Sequence, residues 1–259
     1  MAYPAGATTR VRIDPTTYAT VETGGIRTTA RTRSMLRMAA FLFKLRGGGT
    51  PPKIVQGGYN SGGVSASSGT HDQDALDFGT KLFSETRSKP WEWCLWMVGF
   101  ASWRRIYIAG LWSAHTHSLP KGGQLSDGAD RQIVQWNQGD DALRSDRDSP
   151  RILSSGLVAR TWEKWKDISQ GGTIDLSSVI LAFKAEKTIP GSNDITQIQS
   201  RLNLYTGSEL AVDGVPGDAT RGVYETYQAR LYNVSKDHPD ADGIPGLDSL
   251  VVIGLKVLE

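Results

Sequence analysis

This sequence of 259 residues has only one cysteine, Cys94, so no disulfide can form within the chain. A metal site made of cysteine clusters is excluded for the same reason, and any metal must be held by histidine and carboxylate side chains. Cys94 itself lies in the aromatic segment Trp91–Trp96. We therefore interpret it as a small buried apolar residue and not as a nucleophile.

Long apolar runs and a strong net charge are also lacking. No window approaches the roughly 20 apolar residues that a membrane-spanning helix needs. The N-terminus has neither the basic nor the apolar region of a signal peptide, so we expect a protein made in the cytoplasm, with no membrane insertion. Lys and Arg number 29 against 27 Asp and Glu, and this net charge of +2 does not favour a nucleic-acid partner.

The composition of the chain changes at a charged segment and again at a Pro/Gly break, which divides the chain into parts. We predict three parts: a domain at 1–150, a linker with a short helix at 151–192 and a second domain at 193–259. Apolar spacing in the first part predicts helices mixed with short strands. Its last predicted helix is 125–139, with Ile133, Val134 and Trp136 as the buried stripe.

Three of the four histidines fall in the first part. His71 is followed by Asp77 six positions later. His115 and His117 form a His-x-His pair, which a strand would place on one face. A catalytic zinc takes three protein ligands and leaves one position for water, so His71, Asp77 and one histidine of the pair would supply a set. The spacing alone leaves zinc and an unrelated polar cluster both open.

The last part contains an internal repeat. Asp213–Thr220 and Asp242–Ser249 share the pattern D-G-aliphatic-P-G-x-x-Ser/Thr and begin 29 residues apart. Each copy is typical of a turn that enters a helix, because Gly allows a positive φ and Pro fixes the bend. The fourth histidine, His238, lies between the copies in a polar segment, and we interpret it as exposed and not as a ligand.

Residues 54–71, with 75–77 after them, resemble the first metal motif of the D-Ala-D-Ala metallopeptidase family, in the version carried by actinobacterial phage endolysins. The segment 112–117 resembles the second motif of that family. The resemblance covers roughly residues 27–148. It implies an α+β domain of the hedgehog and DD-peptidase type, in which a small antiparallel sheet holds zinc.

The resemblance also implies a chemistry. Zinc would lie on His71, Asp77 and His117 and would lower the pKa of a bound water towards about 7. His115 would take the proton of that water or stabilise the oxyanion, since Ala114 stands where many members of the family have a catalytic Glu. This role for His115 is the one that the phage-type His-x-His pair implies.

Two further features of the same region bear on function. Arg104 or Arg105 would bind a carboxylate of the substrate through a bidentate pair, although a solvated charge at a strand edge explains either arginine at least as well.

Only five residues separate the first two ligands, His71 and Asp77, where the family usually has six. Within that shortened turn, we predict that Asp72 and Asp74 are turn residues.

Residues 194–255 resemble the peptidoglycan-binding domain type 1, a module of three helices. We therefore predict a peptidoglycan hydrolase of the phage endolysin type, which cuts a stem-peptide amide bond and is anchored to the bacterial wall by its C-terminal domain. The alternative is a wall-binding structural protein of a virion or tail, whose peptidase site has decayed. In either case the chain is made in the host cytoplasm and acts at the wall or is carried in a virion.

Overall fold

A computed structural model gives the fold. It describes residues 18–23, 25–59, 71, 73–79, 85–107, 109, 113–140, 160–169, 171–185 and 193–258. Contacts divide the chain into a front unit, within Val11–Phe43 and Gly48–Trp165, and a rear unit, within Lys44–Gly47 and Lys166–Glu259. In these described ranges, no helix is both long enough and apolar enough to cross a bilayer.

The first part of the chain mixes helices with short antiparallel strands, as the sequence predicts. The strands are β1 (Thr20–Thr23), β2 (Ile26–Thr29), β3 (Ile54–Gln56), β4 (Leu76–Phe78), β5 (Phe100–Arg105) and β6 (His115–Pro120). The helices are α1 (Ala30–Leu45), α2 (Glu85–Met97), α3 (Asp127–Asn137) and α4 (Trp162–Ser169). Strands β1 and β2 form a hairpin, and the other four form one sheet in the order β3-β4-β6-β5. This architecture confirms the α+β class.

The register of the sheet gathers polar side chains on one face. Asp77 of β4 lies opposite His117 of β6, and Trp103 of β5 lies opposite the same histidine. Arg105 lies opposite His115 one step along. Directly opposed residues of an antiparallel pair share a face, and so do residues two apart along a strand. All five side chains therefore lie on the same face of the sheet.

Helix α3 packs on a core of aromatic and small residues. Ser126 caps its start by accepting a hydrogen bond from the amide of Ala129. Trp136 is buried, and its indole donates to the carbonyl of Ser102 at 3.2 Å. The predicted stripe is therefore correct for Trp136, but it is wrong for Val134, which is 56% exposed. The buried face runs through Ala129 instead, and Val134 points to solvent.

A buried carboxylate fastens the segment before β4 to the start of α1. Asp74 accepts hydrogen bonds from the amide and hydroxyl of Thr29, at 2.7 and 2.6 Å, and from the hydroxyl of Thr32 at 2.8 Å. Burial raises the pKa of Asp74, and these hydrogen bonds act against the rise. The same segment packs on Gly58, where a Cβ would collide with the carbonyl of Gln73. Asp74 is thus an anchor for the loop that leads to Asp77.

The later part of the chain is mainly helical. Its elements are β7 (Thr173–Asp175), α5 (Leu176–Ala185), α6 (Asp194–Thr206), α7 (Asp218–Tyr232), α8 (Leu247–Val252) and β8 (Lys256–Leu258). Strands β7 and β8 pair in parallel. Since β7 lies inside the predicted linker, that part of the linker belongs to the rear unit, and the units divide between Trp165 and Lys166.

A glutamine holds the first D-G turn of the repeat. Gln199 of α6 donates from Nε2 to the carboxylate of Asp213, at 2.8 Å, and to the carbonyl of Val215, at 3.0 Å. Its Oε1 accepts from the amide of Gly214 at 2.9 Å. Because Gln199 is buried, these bonds replace the water that its amide loses.

The second copy is held in the same way, 29 residues further along the chain. Gln228 of α7 donates to Asp242 at 3.1 Å and to the carbonyl of Ile244 at 2.9 Å. It accepts from the amide of Gly243 at 2.8 Å. The internal repeat is therefore structural as well as sequential, with one glutamine clamp in each copy.

Candidate metal centre

Four of the predicted site residues meet beside β4 and β6. The Oδ1 of Asp77 lies 2.7 Å from Nδ1 of His117, and its Oδ2 lies 3.3 Å from Nε2 of His71. Nε2 of His115 is 3.7 Å from the same Oδ2. His71, Asp77 and His117 are buried, their ligand atoms lie within 4.8 Å of one another, and the group could hold a metal ion. The turn of five residues thus still brings Asp77 to His71.

Each histidine turns its other ring nitrogen to an oxygen. Nδ1 of His71 lies 3.2 Å from the carbonyl oxygen of Ala75. Nδ1 of His115 lies 2.7 Å from the carbonyl oxygen of Ser113. Nε2 of His117 lies 3.1 Å from Oε1 of Gln132. In metal sites such outer partners fix the orientation and tautomer of the ligand.

The ring nitrogens of the three histidines face oxygen atoms on both sides. On the inner side the carboxylate of Asp77 accepts a hydrogen bond from His117 at 2.7 Å when Nδ1 carries the proton. When the outer nitrogens carry the protons instead, at the carbonyls of Ala75 and Ser113 and at Oε1 of Gln132, the inner lone pairs and the carboxylate form a donor set for a cation. The same contacts therefore suit both the metal-free protein and a metal-bound one.

The pKa shifts of His117 and Asp77 leave both groups in the protonation state of a metal ligand. Burial lowers the pKa of His117 to about 4, although the nearby carboxylate of Asp77 raises it. Burial would raise the pKa of Asp77, but the charge and hydrogen bond of His117, with a hydrogen bond from His71, lower it well below its usual range. A neutral imidazole beside an ionised carboxylate is the state that metal ligands require.

His115 differs from the other two histidines in its access to solvent. Its side chain is 12% exposed, against 1% for His71 and 3% for His117. It lies outside the compact ligand set, yet its Nε2 faces the same carboxylate oxygen. Its Nδ1 lies at the carbonyl of Ser113, so its Nε2 faces the cluster. A partly exposed imidazole in such a position can exchange protons with a molecule bound beside the cluster.

The register of β5 with β6 places Arg104 and Arg105 on opposite faces of the sheet, a difference that the sequence alone does not show. Arg105 is buried on the histidine face, with its guanidinium carbon 5.2 Å from the ring centre of Trp103. Its charge also lowers the pKa of His117, so it acts on the cluster directly. Arg104 lies opposite Thr116 and therefore projects from the other face of the sheet. Only Arg105 is placed beside the candidate centre.

Two residues of the centre were missed at the level of sequence. Gln132 contacts His117 from α3, and the ring of Trp103 meets the ring of His117 edge-on at 4.9 Å. The signal for Gln132 was its spacing, because it stands three residues after Ala129 and four before Trp136, on the buried face of the helix. Trp103 gave no such signal, since its place depends on the register of β5 with β6.

Parts of both motifs fall outside the described residues, namely 60–70, Asp72 and 110–112. No protein-family model matches this chain, and no curated protein or solved structure is significantly similar to it. The function is therefore inferred from the sequence motifs and from the geometry of the described residues.

Proposed function

We propose that this protein is a zinc-dependent peptidoglycan hydrolase, which cuts an amide bond in the stem peptide of the bacterial wall. The observation that carries the proposal is the convergence of three imidazole nitrogens on the buried carboxylate of Asp77. Zinc takes such mixed nitrogen and oxygen ligands, whereas calcium and magnesium prefer oxygen alone. His71, Asp77 and His117 would be the three protein ligands.

The residues around the ligands have roles that suit hydrolysis. A zinc ion supplies a Lewis acid that lowers the pKa of a water towards about 7. His115 accepts a proton at Nε2 from the attacking water, since its other nitrogen is held by the carbonyl of Ser113. Arg105 binds a carboxylate of the stem peptide and orients the scissile bond beside the metal.

The rear unit would hold the enzyme on its substrate. This part of the proposal is supported by the resemblance of residues 194–255 to a peptidoglycan-binding module and by the two glutamine-clamped turns that repeat within them. A tether of this kind raises the local concentration of the active site near its bonds. Removing residues 193–259 should therefore reduce cutting of intact walls far more than cutting of a short soluble stem peptide.

The main test uses the full chain. Purified protein should contain about one zinc per chain. It should release new amino groups from purified peptidoglycan, lose that activity after a chelator and regain it with zinc. His71→Ala should abolish both metal and activity, while His238→Ala, at an exposed histidine in the rear unit, should change neither. Full activity without metal would overturn the proposal.

A second candidate is a wall-binding structural protein of a virion or tail with an inactive centre. The specific observation in its favour is the turn between His71 and Asp77, whose five residues are one fewer than the resembled family usually has. This candidate predicts a protein that binds zinc and sediments with purified walls, yet releases no amino groups at any zinc concentration. The same preparation therefore separates the two functions.

A further inference from the structure

The three histidines of the centre are not held in the same way. His71 and His115 each place a ring nitrogen on a backbone carbonyl, at Ala75 and Ser113. No side-chain substitution removes either carbonyl oxygen. His117 instead places Nε2 on the side chain of Gln132, at 3.1 Å. The outer partner of His117 is thus a side chain, which a substitution can remove.

Gln132 is well placed to hold that ring still. It is half-buried on α3, between the buried residues Ala129 and Trp136 on the packed face of the helix. The helix is fixed at its start by the Ser126 cap and near its end by the indole of Trp136 on the carbonyl of Ser102. Gln132 therefore approaches His117 from an element whose position is determined by packing.

We propose that Gln132 is a positioning residue of the metal centre. It holds the proton of His117 on Nε2, so that Nδ1 keeps its lone pair towards Asp77 and the metal. The inference rests on the proposed metal-binding function and adds to it a residue that touches neither the metal nor the substrate. Outer partners of this kind typically change metal affinity about 10- to 100-fold when they are removed.

Three variants separate the accepting oxygen from the bulk of the side chain. Gln132→Leu keeps the size but removes the acceptor, and we expect zinc to bind about 10- to 100-fold more weakly in a chelator competition. Gln132→Glu keeps an acceptor oxygen and adds charge, so its zinc affinity should be at least that of the unmodified protein. Gln135→Leu is the matched control, because Gln135 is an exposed glutamine of the same helix. It should bind zinc normally.

A second measurement reports on the proton itself. In the zinc-loaded protein, the ring N–H of His117 should give a resolved NMR signal that is protected from exchange with water. Gln135→Leu should keep this protection, and Gln132→Leu should lose it. A residue that only filled space would not move this signal. Should Gln132→Leu fail to fold, Gln132→Ala removes the same acceptor and takes its place in both measurements.

The outcomes distinguish this inference from the function on which it rests. If the unmodified protein binds no zinc, the metal function fails first. If the unmodified protein binds zinc and Gln132→Leu binds it equally well with its ring N–H still protected, the role of Gln132 is overturned while the metal function stands. If Gln132→Glu is as weak as Gln132→Leu, an accepting oxygen is not what the site needs, and the inference is overturned as well.

Discussion

Gln228 in the rear unit and Asp77 in the front unit are both buried polar side chains, but their surroundings differ. The amide of Gln228 meets one donor and two acceptors, each complementary to its own atoms. The carboxylate of Asp77 instead faces ring nitrogens of three histidines, which are themselves metal-ligating groups. An amide bonded to a turn fastens that turn, whereas a carboxylate among imidazoles provides the donor set of a metal site. The first cluster therefore has a structural role, and the second could hold a metal ion.

The largest effect is expected from Asp77→Asn, which tests whether Asp77 is a metal ligand. Zinc binding should be lost completely, because the site loses one of three ligands. The amide has nearly the same size as the carboxylate and can still form hydrogen bonds with the rings, so the metal-free protein should remain folded. Metal content and thermal unfolding check the two parts, with Asp130→Asn on the exposed side of α3 as the control. A large fall in the melting temperature would mean that Asp77 serves the fold.

The next largest effect should come from the two neighbouring arginines of β5. Arg105→Gln should lower kcat/KM on a soluble stem peptide about tenfold to a hundredfold, mainly through KM, because a charged hydrogen bond to the substrate is lost. Arg104→Gln, on the opposite face, should leave kcat/KM unchanged. Both variants should retain zinc. Equal losses in the two variants would show that the face of the sheet does not decide the role of these arginines.

In the rear unit, Gln228→Leu should destabilise the fold without changing the metal centre. It leaves the buried amide of Gly243 without its acceptor, and an unpaired buried group costs on the order of 1–3 kcal/mol. Gln199→Leu should have a similar effect, since its three bonds are the same. Urea unfolding followed in the rear unit measures the change, and zinc content serves as the control. A cost in only one copy would mean that the two clamps are not equivalent.

The smallest effect concerns a second buried charge in the front unit. Burial, with the charges of Arg160 and Lys164, lowers the pKa of Lys121 from 10.5 to about 7. The unfolded chain therefore binds this proton more tightly, and the free energy of unfolding rises with pH between about 7 and 10.5, by up to about 1.4 kcal/mol per pH unit. Lys121→Met should flatten that rise. Urea midpoints at pH 7 and pH 9 test it, and an equal rise in both proteins would contradict it.

Local patterns predicted much of the front unit. The His71–Asp77 spacing and the His-x-His pair identified the residues of the cluster, because these residues lie in two short sequence motifs. The α+β class was implied by the family resemblance of residues 27–148. Val134 was assigned to the wrong face, since periodicity gives a helix but not its rotation against a sheet. Register was equally out of reach, and register is what separates Arg105 from Arg104.

In the rear unit, the repeat was recognised at its turns but not at its clamps. The signal was nevertheless there: Gln199–Leu202 and Gln228–Leu231 share the pattern Q-x-R-L, again 29 residues apart. A glutamine inside a helix gives no turn or cap signal, so its role emerged only from its hydrogen bonds to the turn. Gln132 was missed for the same reason, because its partner lies on a strand and not on its own helix.

The parallel pairing of β7 with β8 has a consequence for how the rear unit can be handled. The first strand of that unit, Thr173–Asp175, lies beside its last, Lys256–Leu258, and the adjoining segments are joined by the amide of Gly171 on the carbonyl of Gly254 at 2.7 Å. A folded segment that starts and ends at one place can be spliced into a surface loop of another protein without stretching either. Because the segments 171–175 and 254–258 lie side by side, residues 171–258 should fold as one block when they are inserted into a surface loop of another protein.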